Sequence, residues 1–241
     1  MLLIAHRGES EAVPENTIES FVLAWTRGAA GIEGDFHLTK DKRLVCMHDD
    51  NALRTCGVNR RIADMTLDEI CELDCGQWKS PAWAHTEVPT LEEVLETIPE
   101  DGRIYIELKT IGSEVVDELR RVVEESGLRE EQLVIIAFDR EVVKASKAAF
   151  GGLKVYWLTC LDEGLTPEKM VATVKELGAD GVDCHATDKL TAEYVEAMHR
   201  AGLEFHVWTV DDCEQARRLI EFGVDSITTN RPYALWCELN G

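Results

Sequence analysis

The amino-acid sequence predicts a (β/α)8 TIM barrel carrying a small inserted subdomain, and three observations lead there. A module of amphipathic helix, glycine and short apolar run recurs along the chain. Nine strand-like runs can be counted, and one of them has to fold back, which leaves the eight that close a barrel. The length of 241 residues is typical of one such domain, and a hydrophobic share of 45% suffices for a large core.

The first run, residues 2–6, ends in His6-Arg7-Gly8. Ile18, Phe21, Val22 and Trp25 then fall at i, i+3, i+4 and i+7, and Gly28 precedes a second strand at 31–37. Asn16 and Glu19 have capping-box spacing, which predicts Asn16 as the cap of that helix. The next run, 43–47, follows through the four-residue turn Thr39-Lys40-Asp41-Lys42, too short for a parallel crossover, so it must return antiparallel. Residues 49–89 break the rhythm, with Trp78, Trp83, Pro81, Pro89 and a short helical signal at 66–73. They are expected to form a cap over the barrel mouth, between barrel strand 2 and its following helix, within a single domain spanning 1–241.

The module then resumes. Thr90 with Glu93 opens a helix, and a strand follows at 103–109. Val115, Val116, Leu119, Val122 and Val123 lead to Gly127 and a strand at 132–138, with another at 154–159. Thr166-Pro167 offers an N-cap with proline at the first helical position, before Met170, Val171, Val174, Leu177 and Gly178. Strands at 180–184, 204–209 and 225–229 alternate with helices that close on Gly202 and Gly223, the last capped by Asp211 with Glu214. A doubly wound open sheet is the main rival, but no glycine-rich dinucleotide turn follows the first strand.

A net charge of −21 excludes a basic face for nucleic acid and disfavours attraction to an anionic membrane. A phosphate ester could be handled only where a metal ion or a few placed cations reverse the sign locally. The apolar start Leu2-Leu3-Ile4-Ala5 lacks the basic residues and length of a signal peptide, and no run approaches the roughly 20 apolar residues of a membrane span. The eight cysteines contain no CxxC pair and read as reduced thiols of a cytoplasmic protein.

Reactive side chains of such barrels gather where strands end. Glu33 and Asp35 point to one side of their strand, as do Glu107 and Lys109. Glu33, Asp35 and Glu107 on neighbouring strands make a hard oxygen site for Mg2+ or Ca2+. Without a cation they repel, and at least one takes up a proton. The competing explanation is a salt-bridged barrel interior in which Arg7 and Lys109 neutralise the acids. His6 and His48 end different segments that the fold brings to the same mouth, where two imidazoles can divide proton transfer between nucleophile and leaving group. His37, His85, His185, His199 and His206 lack this company and read as surface or packing residues.

The order and spacing of these pieces resemble the glycerophosphodiester phosphodiesterases over nearly the whole chain. The match runs through His6-Arg7-Gly8, Pro14-Glu15-Asn16-Thr17, Glu33-Gly34-Asp35, His48-Asp49, Leu53-Arg54-Thr55-Cys56-Gly57, Pro89-Thr90-Leu91-Glu92-Glu93, Glu107-Leu108-Lys109, Val207-Trp208-Thr209-Val210 and Thr229-Asn230-Arg231-Pro232. The resemblance implies metal-dependent hydrolysis of glycerophosphodiesters to glycerol 3-phosphate and an alcohol such as choline or ethanolamine. It implies one Mg2+ or Ca2+ on Glu33, Asp35 and Glu107, with His6 and His48 as the acid–base pair; both orders are open, with His6 as acid and His48 as base the one preferred. Arg7 and Lys109 would hold phosphate oxygens, Trp208 would line the glycerol pocket, and Asn16 would add a polar contact near the metal. The partner would be a small phosphodiester, with no nucleic acid and no stable membrane association. Many members carry Asp where this chain has Asn230, a difference expected to leave the catalytic residues untouched. A lysophospholipase D-like enzyme would need an apolar groove, to which Trp78 and Trp83 could contribute. A catalytically silent binding barrel would be favoured by loss of a histidine or metal carboxylate, and none is missing; a metal-dependent isomerase or lyase leaves the paired histidines and the inserted segment unaccounted for.

Overall fold

In the computed structural model, which describes residues 2–241, the strands are β1 (Leu2–His6), β2 (Gly31–Leu38), β3 (Leu44–Cys46), β4 (Arg103–Leu108), β5 (Leu133–Ala137), β6 (Lys154–Thr159), β7 (Gly181–His185), β8 (Glu204–Trp208) and β9 (Ser226–Thr229). Neighbours run β1-β9-β8-β7-β6-β5-β4-β2, and β1 pairs with β2 to close an eight-stranded parallel barrel. β3 is the run that folds back, pairing antiparallel with the end of β2 through Phe36↔Cys46 and Leu38↔Leu44. The five residues between Leu38 and Leu44 are too few for a parallel crossover.

The helices are α1 (Ile18–Thr26), α2 (Leu53–Cys56), α3 (Leu67–Cys71), α4 (Leu91–Glu96), α5 (Ser113–Ser126), α6 (Arg140–Ala149), α7 (Pro167–Leu177), α8 (Ala192–Arg200), α9 (Cys213–Phe222) and α10 (Pro232–Asn240). Alternate strand residues such as Ile32, Phe36, Ile104 and Ile106 face these helices and join one large core. The other set points inward. Ile4, Tyr105, Ile136, Tyr156 and Leu158 fill the barrel, and His206 packs 4.2 Å from the Tyr156 ring and hydrogen-bonds Ser226 Oγ at 2.7 Å. This plug closes the barrel at mid-height, so the inward residues above it open only at the mouth where the parallel strands end.

Two expected caps move by one residue. Thr17 caps α1, its hydroxyl accepting from Ser20 N, while Asn16 sits at φ 58° with its amide turned toward β2. Asp212 caps α9 by accepting from Gln215 N, whereas Asp211 hydrogen-bonds Asn230 and Thr229. In both cases the upstream polar residue makes longer-range contacts, and the next one takes the extended backbone that a cap requires. Thr90 and Thr166 cap α4 and α7 as the sequence predicts.

Gly8 has φ +82°, and a Cβ there would lie 2.3 Å from Ser20 Oγ and 2.6 Å from the Ser20 carbonyl carbon. Only glycine lets the loop after β1 lie this close to α1, where Ser20 Oγ donates to Arg7 O at 2.9 Å. The segment 49–89 contains α2, α3 and two short 3-10 turns, and Val45, Met47, Ala52, Ile62, Met65, Ile70, Cys75 and Val88 form a small core of their own. It meets the loop after β1 where Lys79 Nζ donates to Ser10 O at 2.8 Å. Among the described residues no helix is long and apolar enough to cross a membrane.

Candidate active site

Glu33 and Asp35 leave β2 on its inner side, level with Tyr105 and Glu107 of β4, and the register sets His6 of β1 beside Glu33. One carboxylate oxygen from each of Glu33, Asp35 and Glu107 lies within 4.8 Å of the others. Asn16 clamps Asp35 twice, donating from Nδ2 to Oδ2 at 2.8 Å and accepting the Asp35 backbone N–H at 3.2 Å. Its role at the carboxylates is thus direct, and its capping role falls to Thr17.

Arg7 and Lys109 share this cluster. Arg7 Nε lies 3.2 Å from Asp35 Oδ2, and Lys109 Nζ lies 3.2 Å from Asp35 Oδ1 and 2.8 Å from Glu107 Oε1. The salt-bridged interior weighed above is therefore partly real, yet it does not balance. Three carboxylates against two cations leave one negative charge in a buried site. Glu33 Oε1 remains buried without a hydrogen-bond partner. Burial, then Asp35 and Glu107, raise Glu33 well above the carboxylate range, and burial followed by Asp35 pushes Glu107 up to about 7. Burial also works against ionised Asp35, but Lys109 and Arg7 outweigh it and hold its carboxyl low. Three converging oxygen donors, two of them unable to ionise comfortably, fit a divalent cation that would let all three carry charge.

The histidines flank this cluster. His6 Nδ1 lies 2.7 Å from Asn230 Oδ1. Asp211 only accepts, and it takes Asn230 Nδ2–H at 2.6 Å, which turns the amide oxygen toward His6. His6 Nδ1 therefore donates, and the Nε2 lone pair faces Glu33 Oε2 at 4.0 Å. Burial, then Arg7, lower the His6 pKa to about 4, so the ring is neutral at neutral pH. Asn230 thus touches a candidate catalytic group, and its amide oxygen accepts from His6 as a carboxylate oxygen also could.

His48 follows β3, and its Nδ1 lies 2.8 Å from Asp49 Oδ1. Arg54 of α2 donates to Asp49 and also to Glu15, and Glu15 accepts from Arg7 at 2.9 Å. Alternating charges thereby link Asp35 to His48 through Arg7, Glu15, Arg54 and Asp49. The sequence placed Glu15, Asp49 and Arg54 in motifs, but their mutual contacts depend on how the 49–89 segment seats on the barrel.

A hollow of about 170 Å³ opens at this mouth, lined by His6, Arg7, Glu33, His48, Glu107 and Lys109 and, across from them, by Trp208. Trp208 donates from Nε1 to Asp183 O at 3.2 Å and packs edge-on to Phe138 at 5.7 Å. Phe138 and Asp183 also line the hollow and were not singled out in the sequence. Asp183 was legible in principle, since it alternates with Gly181 and His185 as Asp35 does with Glu33. A lone acid in an apolar run gives no sign of company, however. A cleft of about 580 Å³ near Leu3, Arg217 and Trp236 is larger but contains no histidine and no carboxylate cluster.

Fold and site together define a barrel hydrolase of the phosphodiesterase class. Residues 6–234 match the glycerophosphoryl diester phosphodiesterase family. The chain is 35% identical to the glycerophosphodiester phosphodiesterase of Caldanaerobacter subterraneus subsp. tengcongensis, across 97% of this chain and 96% of that protein. Among solved structures, a putative glycerophosphodiester phosphodiesterase from Galdieria sulphuraria superposes with a TM-score of 0.86 at 28% identity, covering 100% of this chain and 98% of that one. An Oleispira antarctica phosphodiesterase, solved in complex with the product sn-glycerol-3-phosphate, shares the fold with a TM-score of 0.91 at 24% identity, covering 100% and 97%. The chain belongs to the glycerophosphoryl diester phosphodiesterase family.

Proposed function

We propose that this enzyme hydrolyses glycerophosphodiesters to glycerol 3-phosphate and an alcohol, using one Mg2+ or Ca2+ held by Glu33, Asp35 and Glu107. The observation that carries this reading is the convergence of three buried carboxylates, one with an unpartnered oxygen, beside two imidazoles and two cations on a single hollow. When bound, the cation supplies Lewis acidity and a template for oxygen ligands.

The chain's own residues supply the rest. Arg7 and Lys109 set positive charge beside the place where phosphoryl oxygens gather negative charge. His6 and His48 move the protons. Hydrogen bonding favours His6 as the base, because Asn230 fixes its Nδ1 proton and leaves Nε2 free to accept. His48, held by Asp49 Oδ1 at 2.8 Å from its Nδ1, is then left to protonate the departing alcohol. This is the opposite of the order preferred from the sequence. Trp208, held by its indole N–H, offers an apolar face to the glycerol backbone.

Release of glycerol 3-phosphate from a panel of glycerophosphodiesters tests the reading, each assayed with Mg2+, Ca2+ or a chelator. Activity is expected with a cation and should fall at least ~100-fold on chelation, since Lewis-acid stabilisation is worth several kcal/mol and each ~1.4 is tenfold. Full activity after thorough chelation refutes the cation, and no product from any member refutes the substrate class.

The same site predicts an unusual pH response. Glu107 titrates near 7 in the fold against 4.5 ordinarily, so the native state binds the extra proton in between. Its stabilising effect is complete below about 4.5 and is lost as pH rises through about 7. Chelated protein should therefore lose on the order of 3 kcal/mol across that window, at ~1.4 per unit. Added Mg2+ or Ca2+ should raise Tm more at about pH 8 than at about pH 5, because it binds the deprotonated carboxylates. Thermal melts at both pH values decide, and a cation shift equal at both would contradict the account.

A further inference from the structure

Asp183 stands on the inner side of β7, level with Leu158 of β6 and His206 of β8. It is 1% exposed, its Oδ1 is buried with no hydrogen-bond partner, and the residue lines the same hollow as His6 and Glu107. It is not one of the three clustered carboxylates. Among the described residues no cation and no donor stabilises it, and burial, then Glu107, push it up to about 8. Its polar neighbours in the barrel interior each have a partner within reach: His206 Nδ1 bonds Ser226 Oγ and its Nε2 lies 3.3 Å from Glu204 Oε2, and Tyr156 bonds Glu204. A buried polar group left unpaired costs about 1–3 kcal/mol, so packing alone would favour leucine here. A polar group entering from the hollow would repay that cost.

The surroundings say what kind of group. Ile136, Leu158 and Trp208 make an apolar wall beside Asp183, which suits a carbon skeleton. With a cation held on the three carboxylates, Arg7 and Lys109 would leave the hollow with a net positive charge, which disfavours an ammonium there. What remains is a neutral donor on carbon, an alcohol hydroxyl. We propose that Asp183 accepts a hydrogen bond from a hydroxyl of the substrate's polyol part and so selects polyol phosphodiesters over those of simple alkyl alcohols. This rests on the phosphodiesterase reading above, deepens it to the residue that reads the alcohol, and holds whether the carboxyl is ionised or not, since either form accepts.

Calorimetric binding of glycerol 3-phosphate and of n-propyl phosphate, with Mg2+ present, tests it. The two ligands share the phosphate and the three-carbon chain and differ in hydroxyls. Asp183→Leu, and Asp183→Ala as a smaller replacement, should reduce the preference for glycerol 3-phosphate about 10–100-fold. Asp183→Asn, whose amide oxygen also accepts, should keep most of it. Both removal variants should melt at or above the wild-type temperature. An unchanged preference in Asp183→Leu and Asp183→Ala overturns the assignment. So does a lowered Tm in both, which would make Asp183 a structural residue, or a selective loss of phosphoethanolamine binding, which would make its ligand an ammonium. If the wild type cleaves no phosphodiester at all, the underlying reading fails instead, and the two failures are told apart.

Discussion

Replacing His6 with alanine is expected to lower turnover of a glycerophosphodiester about 10²–10⁴-fold, the usual contribution of a positioned acid or base. The fold should survive. His6 sits at the end of β1, and its ring hydrogen-bonds only Asn230, whose Oδ1 keeps Ser10 Oγ at 3.1 Å after the imidazole is gone. His48→Ala should fall by a similar factor, since Asp49 is still satisfied by Arg54. The double variant should be only slightly worse than either single one, because groups that act as a unit are not additive. Steady-state kinetics with melting curves on all three proteins checks this. Near-normal turnover in His6→Ala, or losses that multiply in the double variant, would remove the paired-imidazole mechanism.

Asp35→Asn is expected to have the largest effect on stability. Asp35 is fully buried and faces Arg7 Nε and Lys109 Nζ, each at 3.2 Å, with Asn16 on its remaining side. An amide keeps the shape but removes the charge, and its NH2 must meet N–H groups that cannot accept. Breaking a buried pair from one side costs about 3–5 kcal/mol. For a chain of this size that lowers Tm by roughly 6–20 °C. The cation-induced rise in Tm should vanish with it. Glu107→Gln should be milder, because a carboxyl pushed up to about 7 is already about half protonated near pH 7 and the neutral amide resembles that form. Melts of both variants with and without Mg2+ provide the check. Equal stability for Asp35→Asn and wild type would show that Asp35 is not the electrostatic centre of the site.

The two variants also show why some of this site could be read early and some could not. Alternation along a strand set Glu33 and Asp35 on one face, and a parallel barrel puts the ends of all its strands at one mouth. Those are short-range rules, visible within a few residues. The charge imbalance is a different matter. It depends on distances among Arg7, Lys109 and three acids from separate strands, which no spacing encodes. The same holds for the link from Glu15 through Arg54 to Asp49, made only when the 49–89 segment meets the loop after β1.

Sequence by itself determined the barrel, the fold-back of β3 and the side of each strand that turns inward, because helical and strand periodicity and turn length act locally. Tertiary structure alone decided the partners of the buried polar groups. It moved the caps from Asn16 to Thr17 and from Asp211 to Asp212, freeing Asn16 for Asp35 and Asp211 for Asn230. It joined His6 to Asn230 across 224 residues of chain and left Asp183 facing the hollow unpaired. A buried donor or acceptor takes whatever partner barrel closure brings within 3 Å or so, and that is a property of the closed sheet rather than of any stretch of sequence.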